Sequence, residues 1–178
     1  YGKALNMGYK MAILKVENGN QYTGNGILDY ICDDEKHNNS IIGAFACYAD
    51  IETAFIDFWV VKNLYGKTGS VLYRQIIVSI TESETKEYQN NLNLIYNHFS
   101  QIGWLIADKL KVQVMGAVHN NTDNLHAHYI LNTVNFETGK RLRLDEQTIY
   151  ELKILVGNYL YYNNFDGIYI SNYLHSKY

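Results

Sequence analysis

The densest group of reactive side chains in this sequence is His119, His126 and His128, three of six histidines held within ten residues. Residues 111–119 and 125–134 have the apolar, β-branched character of strands, and the run Asn120-Asn121-Thr122-Asp123-Asn124 between them reads as a turn. Side chains alternate along a strand, so His126 and His128 project from the same side. If the hairpin closes symmetrically over residues 120–125, His119 stands opposite His126 on that same side, with Cβ atoms about 5 Å apart. Three imidazoles then converge while other coordination positions stay open for water or substrate, the form a catalytic metal needs. No His-Glu-x-x-His segment occurs. Imidazole chemistry alone leaves zinc, nickel, copper and manganese open.

Those histidines need a scaffold, and the rest of the chain predicts one. At 47% hydrophobic and 178 residues the sequence has enough apolar material for one domain core. Its longest apolar run, 41–49, is interrupted by Gly43 and falls far short of the roughly 18 residues of a membrane span. Residues 11–17 read as a first strand, 18–26 as an Asn/Gly-rich loop, and 26–36 as a short amphipathic helix. Residues 45–48 fit either a short strand or the start of the next helix. A helix is predicted over 50–64, with Asp50 as N-cap and Gly66 beyond its end. A strand is predicted over 73–80, one long helix over 83–102, and a last helix over 145–162. The resulting order, β-α-α-β-α-β-β-α, implies an α+β fold with an antiparallel or mixed sheet carrying packed helices. Residues 1–10 carry no pattern and are read as an expression-derived or disordered leader, with 11–178 as a single domain.

Composition pulls two ways on the partner. A net charge of −3 and a pI near 6.1 argue against a strongly basic nucleic-acid binder, although a local basic patch is compatible with both. Seventeen Tyr, six Phe and two Trp supply the rings on which single-stranded bases stack, or simply fill core and strand positions. Two cysteines, Cys32 and Cys47, exclude a disulfide framework and point to a reduced setting. Gly66-Lys67-Thr68 is not a nucleotide-binding loop, because Val61 stands where the first glycine belongs and a helix rather than a strand precedes it.

The run from His119 to Asn132, His-x-x-x-Asp-x-x-His-x-His-x-x-x-Asn, resembles the metal motif of the P-class conjugative relaxases, the mobilisation nucleases of the HUH endonuclease superfamily. The continuation Thr133-Val-Asn-Phe-Glu-Thr-Gly-Lys140 is similar to the stretch after that motif in the family. Thr53-Ala-Phe, Leu64-Tyr-Gly-Lys-Thr-Gly69 and residues 73–80 also resemble family segments. The likeness runs from about residue 11 to 143. It departs from the family at Asn121, where Asp is common, and at Asn124, where His is common. In the second motif Ser79-Ile80 replaces Ser-Phe, and Arg74 is taken to stand for the preceding His.

The resemblance implies a two-layer HUH relaxase-like sandwich whose central sheet carries His119, His126 and His128 as metal ligands. It implies Mn2+ or Mg2+ as the ion, with Zn2+ or Ni2+ as substitutes. Tyr30, in Leu28-Asp-Tyr-Ile-Cys-Asp-Asp-Glu-Lys36, matches the family's first motif and is the expected nucleophile; Tyr22 is the competing one. At about 100° per residue, Tyr30 falls away from the apolar arc of Ile27, Leu28, Ile31 and Cys32. Asp123 is either an orienting neighbour of the metal ligands or a plain turn residue. Lys67, Arg74, Ser79, Asn132, Lys140, Arg141 and Arg143 are expected DNA contacts, with surface charge as the alternative for the cations. The implied activity is strand-specific nicking and rejoining at a transfer origin, with single-stranded DNA, accessory relaxosome proteins and a type IV secretion coupling protein as partners. The implied setting is the bacterial cytoplasm, with passage into a recipient cell, for one catalytic domain of a longer protein. A rolling-circle replication initiator and a non-catalytic DNA-binding derivative are the competing readings.

Overall fold

The computed structural model describes residues 12–17, 40–47, 53–69, 71–120 and 122–168. Tyr22, Tyr30, Cys32, residues 1–10 and the helix expected over 26–36 lie outside the described residues. The elements in chain order are β1 (Ile13–Glu17), β2 (Ser40–Phe45), α1 (Ala54–Leu64), β3 (Tyr73–Ser79), α2 (Glu82–Tyr88), α3 (Leu92–Leu110), β4 (Val114–His119), β5 (His126–Asn132) and α4 (Glu146–Tyr162). The fold is α+β. The five strands form one sheet in the order β1-β3-β5-β4-β2, and every pairing between them is antiparallel.

The apolar content is divided between the two faces of that sheet. On one face, Leu14, Ile76, Val78, Val114, Val118, Ala127, Tyr129 and Leu131 meet Ile95, Phe99, Ile102 and Ile106 of α3, with Leu152, Val156 and Leu160 of α4 completing the core. The phenol of buried Tyr129 donates to the carbonyl of Phe99 at 2.7 Å, which satisfies its polar end inside that layer. On the other face, Tyr73, Met115, Ala117 and Ile130 pack under Ala54 and Phe58 of α1. β5 sits in the middle, and six of its seven residues are buried, as expected of a strand covered on both sides.

Several boundaries differ from expectation, each for a local reason. The long helix expected over 83–102 is two helices, separated at residues 89–91. Thr81 opens α2 through a capping box with Glu84, and Asn91, a residue whose side chain competes for backbone groups, occupies the N-cap position of α3. α3 then runs on to Leu110, where Lys111 takes left-handed backbone (φ 52°), so β4 begins at Val114 rather than at 111. The strand considered for 45–48 lies earlier and ends at Phe45. A register shift between Ile41 and Gly43 (φ 137°) gives it a bulge that apolar patterning does not signal. α1 begins at Ala54 behind Thr53, whose side chain makes no cap bond, while Gly66 (φ 60°) follows its end as predicted. Asp145 caps α4, accepting from the Thr148 amide at 2.9 Å.

Candidate metal centre

The hairpin closes in the register the histidines require. His119, the last residue of β4, pairs with His126, the first of β5. Three hydrogen bonds fix that closure from outside the hairpin. The Leu125 amide donates to Thr85 Oγ1 at 2.9 Å, the Ile80 amide to the Leu125 carbonyl at 3.1 Å, and Asn124 Nδ2 to the Ile80 carbonyl at 3.0 Å. The turn is thereby tied both to the end of β3 and to α2. A one-residue slip would move the histidines to opposite faces, so this tie is what assembles the site.

The three rings converge. Their centroids are 4.0 Å apart for His119 and His128, 5.0 Å for His126 and His128, and 5.4 Å for His119 and His126. One nitrogen from each lies within 4.8 Å of the others. His119 and His128 are 1% and 5% exposed and His126 is half-buried, so the cluster opens to solvent on the His126 side.

The tautomer of His126 follows from its hydrogen bond. His126 Nδ1 lies 2.9 Å from the Asn124 carbonyl, which only accepts, so Nδ1 carries the proton and Nε2 carries the lone pair. His128 Nδ1 lies against the side-chain amide of Gln75, itself 4% exposed, and the end of that amide facing the ring decides which ring nitrogen carries the proton. Nε2 of His119 and Nε2 of His128 are both buried. Three imidazole nitrogens about 2.1 Å from one ion lie about 3.4 Å apart when tetrahedral. The cluster's nitrogens, all within 4.8 Å of one another, are at most about 1.4 Å wider than that. The residues therefore fit a divalent metal. The donor set suits borderline transition ions better than Mg2+, which prefers oxygen ligands.

The structure sorts the other expected site residues. Ser79 pairs with His126 across β3 and β5, so it stands on the triad's face; its hydroxyl donates to the Ile80 carbonyl at 3.2 Å. Arg74 pairs with Leu131, and strand alternation puts it on the α3 face, away from the histidines. Ile77 pairs with His128, and the side chain that reaches the His128 ring is that of Gln75, one pair along on the same face, which no sequence motif singles out. Only strand phase could have signalled it, since Gln75 and Ile77 alternate in step with the histidines opposite. Asn132 is fully buried. Its Oδ1 accepts from Lys62 Nζ at 2.5 Å and its Nδ2 donates to Gln113 Oε1 at 2.8 Å and to the Phe58 carbonyl at 3.2 Å. It is an internal anchor for α1, with its side chain turned inward rather than to the surface where DNA was expected to meet it. Asp123 is exposed and its charge acts on Lys86 of α2. The described hydrogen bonds that orient the histidines come from Asn124, Thr122 and Gln75 instead.

The remaining four expected contacts come together. Lys67, Lys140, Arg141 and Arg143 line one cleft of about 630 Å3. The tight turn carrying Gly139 (φ 66°) folds over Tyr65, whose hydroxyl donates to the Phe136 carbonyl at 2.9 Å, and Arg141 donates to the Gly69 carbonyl at 2.8 Å. These bonds dock the 136–141 turn on the segment after α1. Cys47, the described cysteine, is a free thiol. Burial, with the charge of Asp57 added, pushes it up to about 12, so it stays protonated and unreactive at neutral pH. No helix among the described residues is long and apolar enough to cross a membrane.

Comparison with known proteins accounts for this geometry. Two curated proteins named Protein rlx, from Staphylococcus aureus, are each 28% identical to the chain, over 110 and 100 residues, or 61% and 55% of its length. Those stretches cover 31% and 29% of the relatives, so the chain matches under a third of their length. The fold is similar to that of a solved structure described as "MobM Relaxase Domain (MOBV; Mob_Pre) bound to 26nt pMV158 oriT DNA". The TM-score is 0.58 at 12% identity, covering 94% of each chain. A second, "Molecular Basis of Vancomycin Resistance Transfer in Staphylococcus aureus", matches with TM-score 0.58 at 14% identity, covering 92% of this chain and 100% of that one. Residues 30–157, well over half the chain, match the family described as "Relaxase: MobA/VirD2-like, nuclease domain", and the chain belongs to that relaxase family.

Proposed function

We propose that this domain nicks and rejoins one strand of DNA at a transfer origin, using Tyr30 as nucleophile beside a metal held by His119, His126 and His128. The observation that carries the proposal is the hairpin register that gathers three imidazoles on one open sheet face in a chain of the relaxase family. The phenol oxygen of Tyr30 attacks the scissile phosphorus in line. An O–P bond to tyrosine forms as the bond to the 3′ oxygen breaks, leaving a 5′-phosphotyrosyl link and a free 3′-hydroxyl that takes up the proton. Reversal by that hydroxyl reseals the strand without an external energy source, since the covalent bond conserves the phosphodiester. The ion, Mn2+ being the member of the expected set that imidazole and oxygen ligands share best, supplies charge neutralisation at the non-bridging phosphate oxygens. Ser79, on the same face beside His126, meets the phosphate in this reading once its hydroxyl turns away from the Ile80 carbonyl.

Lys67, Lys140, Arg141 and Arg143 hold the DNA backbone away from the cut. Six residues of β5 separate His126 from the basic end of the sheet, about 20 Å at 3.3 Å per residue. That span needs about six nucleotides at the B-form rise, and fewer if the strand is stretched. This local cleft reconciles a net charge of −3 with a polyanionic substrate. Single-stranded DNA is the substrate; accessory relaxosome proteins and a secretion coupling protein belong to the longer protein's context, in the bacterial cytoplasm and in transfer to a recipient.

A labelled transfer-origin oligonucleotide tests this reading. The wild-type chain with Mn2+ gives a covalent protein–DNA adduct that survives denaturing electrophoresis, and chelator and Tyr30→Phe each abolish it. An adduct that persists in Tyr30→Phe and disappears in Tyr22→Phe would move the nucleophile to Tyr22. No adduct with any nick-site sequence, together with no metal binding, would favour a DNA-binding derivative.

A further inference from the structure

The side-chain amide of Gln75 is a buried group that meets a ring nitrogen of the triad. It lies on β3, 4% exposed, with its Nε2 placed against His128 Nδ1, while His128 Nε2 is buried on the cluster side. A neutral imidazole carries one proton. If the amide's NH2 end donates to Nδ1, the ring proton must sit on Nε2 and that nitrogen cannot bind a metal. If the carbonyl end faces the ring, Nδ1–H donates to Oε1 and the Nε2 lone pair is directed into the cluster. The two ends have nearly the same shape and exchange by a half-turn of the last side-chain bond, so packing does not choose between them. The chemistry of a ligand histidine does.

We propose that Gln75 is a positioning residue for the metal: its Oε1 accepts the Nδ1–H of His128 and thereby fixes His128 as an Nε2 ligand. The proposal rests on the metal-centre reading above. It also accounts for a division of labour in the triad. His126 is set by a main-chain carbonyl within its own turn. His128, deeper in the sheet and with its own strand's carbonyls committed to the ladder, takes its acceptor from a side chain of the adjacent strand.

Calorimetric titration of the metal-stripped 178-residue chain with Mn2+ tests this apart from any DNA cleavage. Gln75→Leu removes the acceptor and is expected to weaken Mn2+ binding about 10- to 100-fold. Gln75→Glu keeps an acceptor but has no amide donor, and is expected to bind at least as tightly as wild type. Gln75→Met, equal in length, replaces Leu if thermal unfolding shows that variant to be misfolded. Unchanged affinity in the folded Leu or Met variant overturns the proposal. So does a folded Glu variant as weak as Leu, which would mean that the amide donates. Wild-type chain that binds no Mn2+ overturns the metal-centre reading and this proposal together, whereas tight wild-type binding with unaffected variants overturns this proposal alone.

Discussion

At the scale of single residues, the site depends on ring nitrogens, and in His126 and His128 the second nitrogen is already committed. His119 and His128 are nearly sealed from water, so they cannot drift apart without opening the sheet. Replacing His128 or His119 with Ala is expected to reduce Mn2+ affinity by more than about 100-fold, beyond the loss from an orienting neighbour. Calorimetry on folded protein measures it, and affinity within tenfold of wild type would remove that histidine from the ligand set. Tyr129 illustrates the opposite assignment. Burial holds its phenol well above the usual tyrosine range and its hydroxyl is committed to the Phe99 carbonyl, so it is a core residue and no nucleophile.

At the scale of elements, α1 is held on the triad's face by an unusual buried cation. Lys62 is 3% exposed and its ammonium donates to the Leu72 carbonyl, to Asn132 Oδ1 at 2.5 Å and to Thr133 Oγ1 at 3.5 Å. Those acceptors favour the charged form, but burial, with the charge of Arg141 added, outweighs them and brings the group down to about 8 from 10.5. Folding therefore sheds a proton between about pH 8 and pH 10.5, and stability from this group rises with pH through that window; it is lowest below about pH 8. Urea unfolding at pH 7.5, 8.5 and 9.5 should show a rise that Lys62→Met loses; an identical pH slope in both proteins would mean that Lys62 is not the group responsible. α2 carries a second test. Thr81 closes a capping box with Glu84, and Thr85 of the same helix accepts from the Leu125 amide beside the histidines. Thr81→Ala is expected to cost about 1 kcal/mol, read as a lowered Tm. No change in Tm would place the fixing of that turn elsewhere.

At the scale of the whole molecule, chemistry and charge are separated along one sheet. The histidines stand at the turn end of β4 and β5, and the basic cleft stands where β5 leaves the sheet, bridged by the pairing of Val134 with Arg141. DNA bound across both ends should release counterions chiefly at the cleft. Lys67→Ala, Arg141→Ala and Arg143→Ala are each expected to lower the salt dependence of single-stranded DNA binding by about 0.7 per phosphate lost, with metal affinity unchanged. Fluorescence anisotropy between 50 and 200 mM salt (roughly the range over which such slopes are resolved) measures it. An unaltered slope in all three variants would take the DNA off this surface.

What the sequence determined by itself was local. Spacing within ten residues placed His126 and His128 on one face, alternation placed the strands, and Asp145 and Gly66 marked helix ends, because each depends on neighbours a few positions away. A symmetric turn over residues 120–125 put His119 opposite His126, which is the pairing the strands make. Only the tertiary structure decided what depends on strand order and phase. β3, about fifty positions upstream of β5, brings Gln75 rather than Arg74 to His128, and Lys62 of α1 claims Asn132 for the interior. Four cations spread from Lys67 to Arg143 become one cleft because the 136–141 turn docks on the loop after α1. Pairings at that separation leave no periodic trace in sequence; they are fixed by which faces bury together and which polar groups then have to be satisfied.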